Sequence, residues 1–141
     1  MKLSEHFSLE ELTVTNQQGL DNTPDQEIIE NLTRLAAFLE DVRKVLGNRP
    51  IMINSGYRSP GVNKAVGGSI KSKHMFGLAA DIHVKDMTPD EVVKAIRDSS
   101  LEYDQVIREY DRWTHIGIAE LEDSPRKMAL IIDDQGTRSY A

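Results

Sequence analysis

The 141-residue sequence has no cysteine. That absence removes disulfide staples, thiolate metal sites and thiol nucleophiles together. Any metal bound by this chain must be held by histidine, aspartate or glutamate. No apolar run approaches the roughly 20 residues that span a bilayer, so membrane insertion is not expected. The first residues, MKLSEHFSLEEL, lack the apolar centre of a secretory signal. The chain is therefore expected to be made in a cytoplasm, and action outside one would need a separate release step. Excess positive charge is missing as well: the formal net charge is −6. A nucleic-acid partner, which demands a basic face, is disfavoured. The one basic stretch, NKAVGGSIKSKH, has no aromatics interleaved and reads as a solvated loop. There is no internal repeat and no low-complexity segment.

What remains is the composition of an ordinary globular protein, 39% apolar and 28% charged, with length enough to bury a core. One domain over residues 1–141 and a monomer are expected. Ser8 to Glu11 match a capping box that opens a short helix. Thr23-Pro24-Asp25-Gln26 is a second match, with proline at the first helical position. Behind it Ile28, Ile29, Leu32, Leu35, Ala36, Leu39, Val42, Val45 and Leu46 recur at helical spacing, and Gly47 is the expected stop. A third box, Thr88 to Glu91, opens a helix whose apolar face is Val92, Val93 and Ile96. The segments PIMINS, LAADIHV, DQVIRE, WTHIGI and MALIID read as strands. These elements predict an α+β fold, with helices packed on one face of a mostly antiparallel sheet. DDQG and both termini are polar and expected to be exposed.

Between the first two strands lies a long polar loop, and SGYRSPGVNKAVGGSIKSKHMFGLAADIHV (Ser55 to Val84) spans it and the strand behind. An ionised aspartate inside LAADIHV is costly unless a cation or several donors meet it. Zinc would meet it, since zinc accepts histidine nitrogen and aspartate oxygen readily. On a strand Asp81 and His83 share one side, with Ala80 and Ile82 on the other. Residue types alone leave His74, Asp81 and His83 as candidate ligands, with His115 as a fourth in the apolar strand WTHIGI. Structural hydrogen bonding of these groups is the competing reading.

SKHMFGLAAD fits the pattern Ser-x-His-x-x-Gly-x-Ala-x-Asp through Ser72, His74, Gly77, Ala79 and Asp81. RWTHI resembles the Trp-x-His element that supplies a last ligand, and SGYRS and VNKAVGGS resemble the segment before the zinc motif. Together these resemble the D-Ala-D-Ala carboxypeptidase family of zinc peptidases, above all its short branch found in phages and prophages. The resemblance extends from FSLEELT through WTHIGI. It implies a hedgehog/D-Ala-D-Ala-peptidase-like fold and a zinc ion held by His74, Asp81 and His115. Three protein ligands would leave a position open for water, as in catalytic sites. His83 would then be a strand residue or line the site, and His6 a surface or packing residue. Arg58 resembles the family arginine that holds substrate or stabilises the developing oxyanion. Ser72 would bind substrate or shape the loop. Gly67, Gly68 and Gly77 are explained by backbone freedom.

One position departs from the family pattern. Several members carry the general base three residues before the last histidine, where this chain has Arg112, which cannot act as a base. Glu109 and Asp111 are the acids nearby. If Tyr110-Asp111-Arg112 forms a three-residue hairpin loop, Glu109 pairs with Trp113 and shares a sheet face with His115. Glu109 is then the expected base, and Asp111 is the alternative if the register is shifted. The resemblance implies peptidoglycan stem peptides as substrate, cleaved by a carboxypeptidase or endopeptidase, in the manner of a phage or prophage endolysin or a virion-associated enzyme. The alternatives are a non-catalytic zinc-binding domain, as the related hedgehog signalling domain illustrates, and a virion structural protein with a vestigial site.

Overall fold

The computed structural model describes residues 1–140. Four α-helices and six strands follow one another as α1 (Leu9–Leu12), α2 (Gln26–Val45), β1 (Ile51–Ser55), α3 (Pro60–Ala65), β2 (Ala79–Val84), α4 (Pro89–Arg97), β3 (Gln105–Glu109), β4 (Trp113–Gly117), β5 (Met128–Asp133) and β6 (Gly136–Ser139). The boxes at Ser8 and Thr88 close reciprocally with Glu11 and Glu91. The box expected at Thr23 does not. Asp25 caps α2 instead, accepting from the Ile28 amide at 2.9 Å, and Pro24 falls outside the helix. An ionised carboxylate at the helix start accepts the orphan amide and favours the positive end of the dipole. Gly47, at φ 76°, ends α2 as expected.

The sheet runs β1-β2-β4-β3-β5-β6. Every pair is antiparallel except β3 with β5, which are parallel. The α+β architecture with a mostly antiparallel sheet is the one read from the sequence, with α2 and α4 packed on one face as expected, whereas α3 departs from that expectation and lies over the other face. The strand alternation divides the sheet into two unlike faces. Ala80 and Ile82 of β2, Val106 of β3 and Ile116 of β4 turn toward α2 and α4, where Leu32, Leu35, Leu39, Val42, Val92, Val93 and Ile96 complete a closed core. The opposite face carries Asp81, His115, Ile107 and Glu109.

On that second face one row of paired residues crosses four strands: Ser55, Asp81, His115 and Ile107. Ser55 joins it through a bulge. The register of β1 against β2 shifts between Ile53 and Ser55, so Ile53 pairs with Ile82 and Ser55 with Asp81. Without the extra residue, Ile53 and Ser55 would point the same way. The segment from Ser55 to Leu78 folds over this face. It is not the bare loop expected: Ser59 caps α3, with Pro60 at its start, and Lys73–Phe76 form a 3₁₀ turn capped by Ser72. DDQG is largely exposed, as expected, and forms the turn of the β5–β6 hairpin.

Candidate metal centre

His74 sits in the 3₁₀ turn, Asp81 on β2 and His115 on β4. Their possible ligand atoms all lie within 4.8 Å of one another. His74 is 3% exposed and Asp81 6%. Nδ1 of His74 lies 2.7 Å from the Gly56 carbonyl oxygen. A carbonyl can only accept, so Nδ1 carries the proton and donates, and the neutral ring presents a lone pair at Nε2. That lone pair faces Asp81 Oδ2 across 3.4 Å. Two acceptors in such contact repel unless a proton or a metal ion lies between them. Nδ1 of His115 stands 3.0 Å from the other carboxylate oxygen, Oδ1. Zinc, with N and O donors at roughly 2.0–2.2 Å in tetrahedral array, spaces them by about 3.3–3.6 Å, close to the separations here. The donor set therefore fits a zinc ion, and a carbonyl hydrogen bond already fixes one ligand tautomer. Burial on its own would raise the Asp81 carboxyl, but with protons on the facing ring nitrogens the hydrogen bonds and charge of His115 and His74 outweigh it and hold the group well below the usual carboxylate range.

Local sequence explains why these side chains converge. Gly77 closes the 3₁₀ turn at φ 72°, and a Cβ there would meet the Ile28 carbonyl oxygen at 3.1 Å. Only glycine lets the chain pass α2 and enter β2 so soon after His74. Ser72 Oγ accepts from the His74 amide at 3.2 Å, which makes shaping the turn its visible task, although it also borders the cleft. Gly68 passes so close to Asn63 and Arg58 that a Cβ would overlap the Asn63 amide.

Arg58 is not a solvated loop residue. Its guanidinium is spread over three acceptors: Nε donates to Ser55 Oγ at 3.1 Å, Nη1 to Asn63 Oδ1 at 3.2 Å and Nη2 to Asp81 Oδ2 at 3.2 Å. Three of its five N–H groups are thus committed, leaving two. The contact with Asp81 ties Arg58 to the ligand cluster, a role the sequence did not announce.

The β3–β4 hairpin adopts the register that the three-residue loop requires, with Glu109 opposite Trp113 and Ile107 opposite His115. Tyr110 and Asp111 take left-handed φ values of 52° and 55°, and the Arg112 amide donates to the Glu109 carbonyl at 2.9 Å. Glu109 accordingly lies on the ligand face. Its Oε2 accepts from Trp113 Nε1 at 3.0 Å, and Oε1 is 3.8 Å from His115 Nδ1. Burial raises its carboxyl above the ordinary value, with the His115 imidazole pulling the other way. Asp111 is exposed at the turn and pairs with Arg108 instead. His83 is exposed, bonded to Asn54 at 2.6 Å, and outside the cluster. His6 pairs with Glu40 near the chain start.

Two clefts meet at the cluster, sharing Arg58, Asp81 and Trp113. One, about 310 Å³, is bordered by Val14, Asn16, Val62 and Val66. The other, about 430 Å³, holds His74, His115 and Glu109 together with Lys71, Lys73 and Arg126. The sequence reading missed Trp113 as the partner of Glu109, Asn63 and Ser55 as partners of Arg58, and Asp104 behind the cleft. For Asp104 a signal existed: it stands in LEYDQVI, an acid at the edge of an apolar strand, the same clue that exposed Asp81.

A stretch of 44 residues is 46% identical to the zinc D-Ala-D-Ala carboxypeptidase of Streptomyces albus G, covering 31% of this chain and 17% of that protein. The family profile described as Peptidase M15 matches residues 5–117. Since that match takes in most of the chain, including both histidines, the aspartate, Arg58 and Glu109 of the cluster, the chain belongs to the Peptidase M15 family.

Proposed function

We propose that this chain is a zinc-dependent peptidase that cleaves the stem peptides of peptidoglycan. The observation that carries the reading is the His74–Asp81–His115 cluster with a half-buried carboxylate, Glu109, on the same sheet face. Membership of the family and the zinc D-Ala-D-Ala carboxypeptidase relative support it. His74 Nε2, an Asp81 oxygen and a His115 ring nitrogen would hold the ion. When bound, zinc supplies a Lewis acid for the scissile carbonyl and makes a water more acidic.

This chain's own residues do the rest. Glu109, kept from full solvation and oriented by the Trp113 indole, accepts the proton of the attacking water and passes it to the leaving amine. Arg58 holds Asp81 in place with one N–H and turns its two free ones toward the oxyanion that develops on the carbonyl. The clefts on either side take the peptide flanks. The biological setting proposed for this activity is lysis or remodelling of a cell wall, as in a phage or prophage lysin acting after release. The test is digestion of purified walls from one Gram-negative and one Gram-positive species by zinc-loaded protein, with mass spectrometry of the released muropeptides. New amine and carboxyl termini at one defined bond are expected. Intact muropeptides from both walls, with zinc bound at about one per chain, would instead support a non-catalytic zinc domain.

A further inference from the structure

Arg126 lies between β4 and β5, beyond the residues 5–117 that the family profile matches. It nevertheless borders the same cleft as His74, His115 and Glu109. Asp104, 2% exposed, fixes it there. The Arg126 Nε donates to Asp104 Oδ1 at 3.0 Å, Nη2 donates to Oδ2 at 2.7 Å, and the Arg126 amide donates to Oδ1 at 3.0 Å. The backbone just after it is pinned, since the Lys127 amide donates to the Tyr103 carbonyl and the Met128 amide to the Asp104 carbonyl. Asp104 does not need the guanidinium for its own compensation. Lys73 Nζ already meets it at 2.6 Å.

One carboxylate therefore faces two cations; Glu120 and Asp123 border the adjoining cleft with Lys73 and Arg126, but neither pairs with the Arg126 guanidinium among the described residues. The Nε/Nη2 edge of Arg126 is occupied, its Nη1 has no protein acceptor among the described residues, and its side chain is 51% exposed. Lys71 borders the same cleft and adds to the positive field. The other cleft arginine, Arg58, is already set against Asp81. A fixed, half-exposed guanidinium with one free edge is suited to a carboxylate, which it grips with charge-assisted bonds at little entropic cost.

We infer that Arg126 is a specificity-determining residue that receives a carboxylate of the substrate in the cleft, with Asp104 as its positioning residue. The inference rests on the peptidase reading and deepens it: the substrate is an acidic peptide, with a free carboxylate near the bond that is cut. The C-terminal part of the chain thus completes the cleft.

The test uses zinc-loaded full-length protein and three synthetic peptides. One is L-Ala-γ-D-Glu-L-Lys-D-Ala-D-Ala, and the others carry an amide in place of the D-Glu α-carboxylate or the C-terminal carboxylate. One amidated form is expected to show a KM about 10- to 100-fold higher than the acid, the worth of a hydrogen-bonded charge contact. Arg126→Gln is expected to erase that difference by raising KM for the acid to the level of the amide. Arg126→Lys should restore part of the preference, and Asp104→Asn should reduce it. Thermal unfolding of each variant checks the fold. A parent that treats all three peptides alike, or an Arg126→Gln protein that keeps the parent's acid-over-amide ratio, overturns the inference. If the parent cleaves none of the three, nor any purified wall, the peptidase reading falls separately. Calorimetric titration of the same peptides then applies the same acid-over-amide criterion to binding.

Discussion

Two aspartates of this protein are buried against the sheet, and they are compensated in opposite ways. Asp104 faces Lys73 and Arg126, permanent cations at 2.6 and 2.7 Å, plus a backbone amide. Its account is closed within the protein. Asp81 faces two imidazoles, at 3.4 and 3.0 Å, and a single arginine nitrogen at 3.2 Å. One of those rings, when neutral, presents a lone pair toward it, because the opposite nitrogen donates to a carbonyl. A buried carboxylate among fixed cations is a strut, whereas one among histidines is a socket awaiting a further positive charge. Substitution should separate the two roles.

The largest effect is expected at the socket. His74→Ala and Asp81→Asn should lose the metal, about one zinc per chain in the parent, and all hydrolysis with it. Asp104→Asn and His83→Ala should keep the metal. Elemental analysis of the purified variants reads this directly, and zinc loss in His83→Ala equal to that in His74→Ala would refute the ligand assignment. Next comes the base. Glu109→Gln should retain zinc and fold normally yet lose about 10²–10⁴-fold in kcat, while Asp111→Asn stays within a few-fold of the parent. The reverse pattern in steady-state rates would transfer the role to Asp111. Arg58→Ala should cost on the order of 10²–10³ in turnover and, through the lost bond to Asp81, weaken zinc roughly 10-fold in a chelator competition. An Arg58→Ala protein matching the parent in both would return that residue to a purely structural place.

The smallest effect belongs to the strut. Asp104→Asn should cost about 2 kcal/mol of stability in urea titrations, since it removes charged hydrogen bonds and leaves two cations adjacent. It should also flatten the acid dependence of stability. The hydrogen bonds from Arg126 outweigh the opposing effect of burial, and with Lys73 they hold the folded-state carboxyl below its ordinary 3.8. The unfolded chain therefore binds the proton first as pH falls. The contribution of Asp104 is fully present above about pH 4 and is lost progressively on further acidification. Urea midpoints between pH 2 and 5 should fall less steeply in Asp104→Asn than in the parent. Equal slopes would mean that Asp104 contributes no such linkage.

Strong periodicity and reciprocal caps made α1, α2, α4 and five strands legible in the sequence. What escaped notice was held by forces that leave little trace in residue order. Helix α3 buries only Val62 and Asn63 and has no stripe to detect, although Ser59-Pro60 is an opening cue that could have been read. Strand β6 is polar and largely exposed; it is held by backbone pairing and by Arg138, which meets Asp133 at 2.8 Å. The start of α2 was misplaced because two capping residues, Thr23 and Asp25, compete within three positions. At the candidate site, residue chemistry pointed to the histidines and Asp81, and hairpin arithmetic brought Glu109 beside them. Residue types alone left His83 open and the family resemblance set it aside; the structure gives the physical reason, since His83 shares a strand face with Asp81 yet lies one pair further along, beside Met52. The partnership of Asp104, Lys73 and Arg126 was invisible for a related reason, since the three belong to separate segments that meet only because β5 runs parallel to β3.

The turn at Tyr110 and Asp111 has a consequence for how this sequence can drift. Both residues occupy left-handed backbone positions, and the Tyr110 amide is anchored to the Ile132 carbonyl of β5. Glycine or asparagine would suit either position, so point changes there should be tolerated. A change of length would not. Deleting one residue would slip β4 by one step and exchange its faces: His115 would enter the apolar core, and Ile116 would take its place in the cleft. The most exposed part of the hairpin is thus permissive to substitution and closed to insertion or deletion, and in a library of random variants the two kinds of lesion should part there.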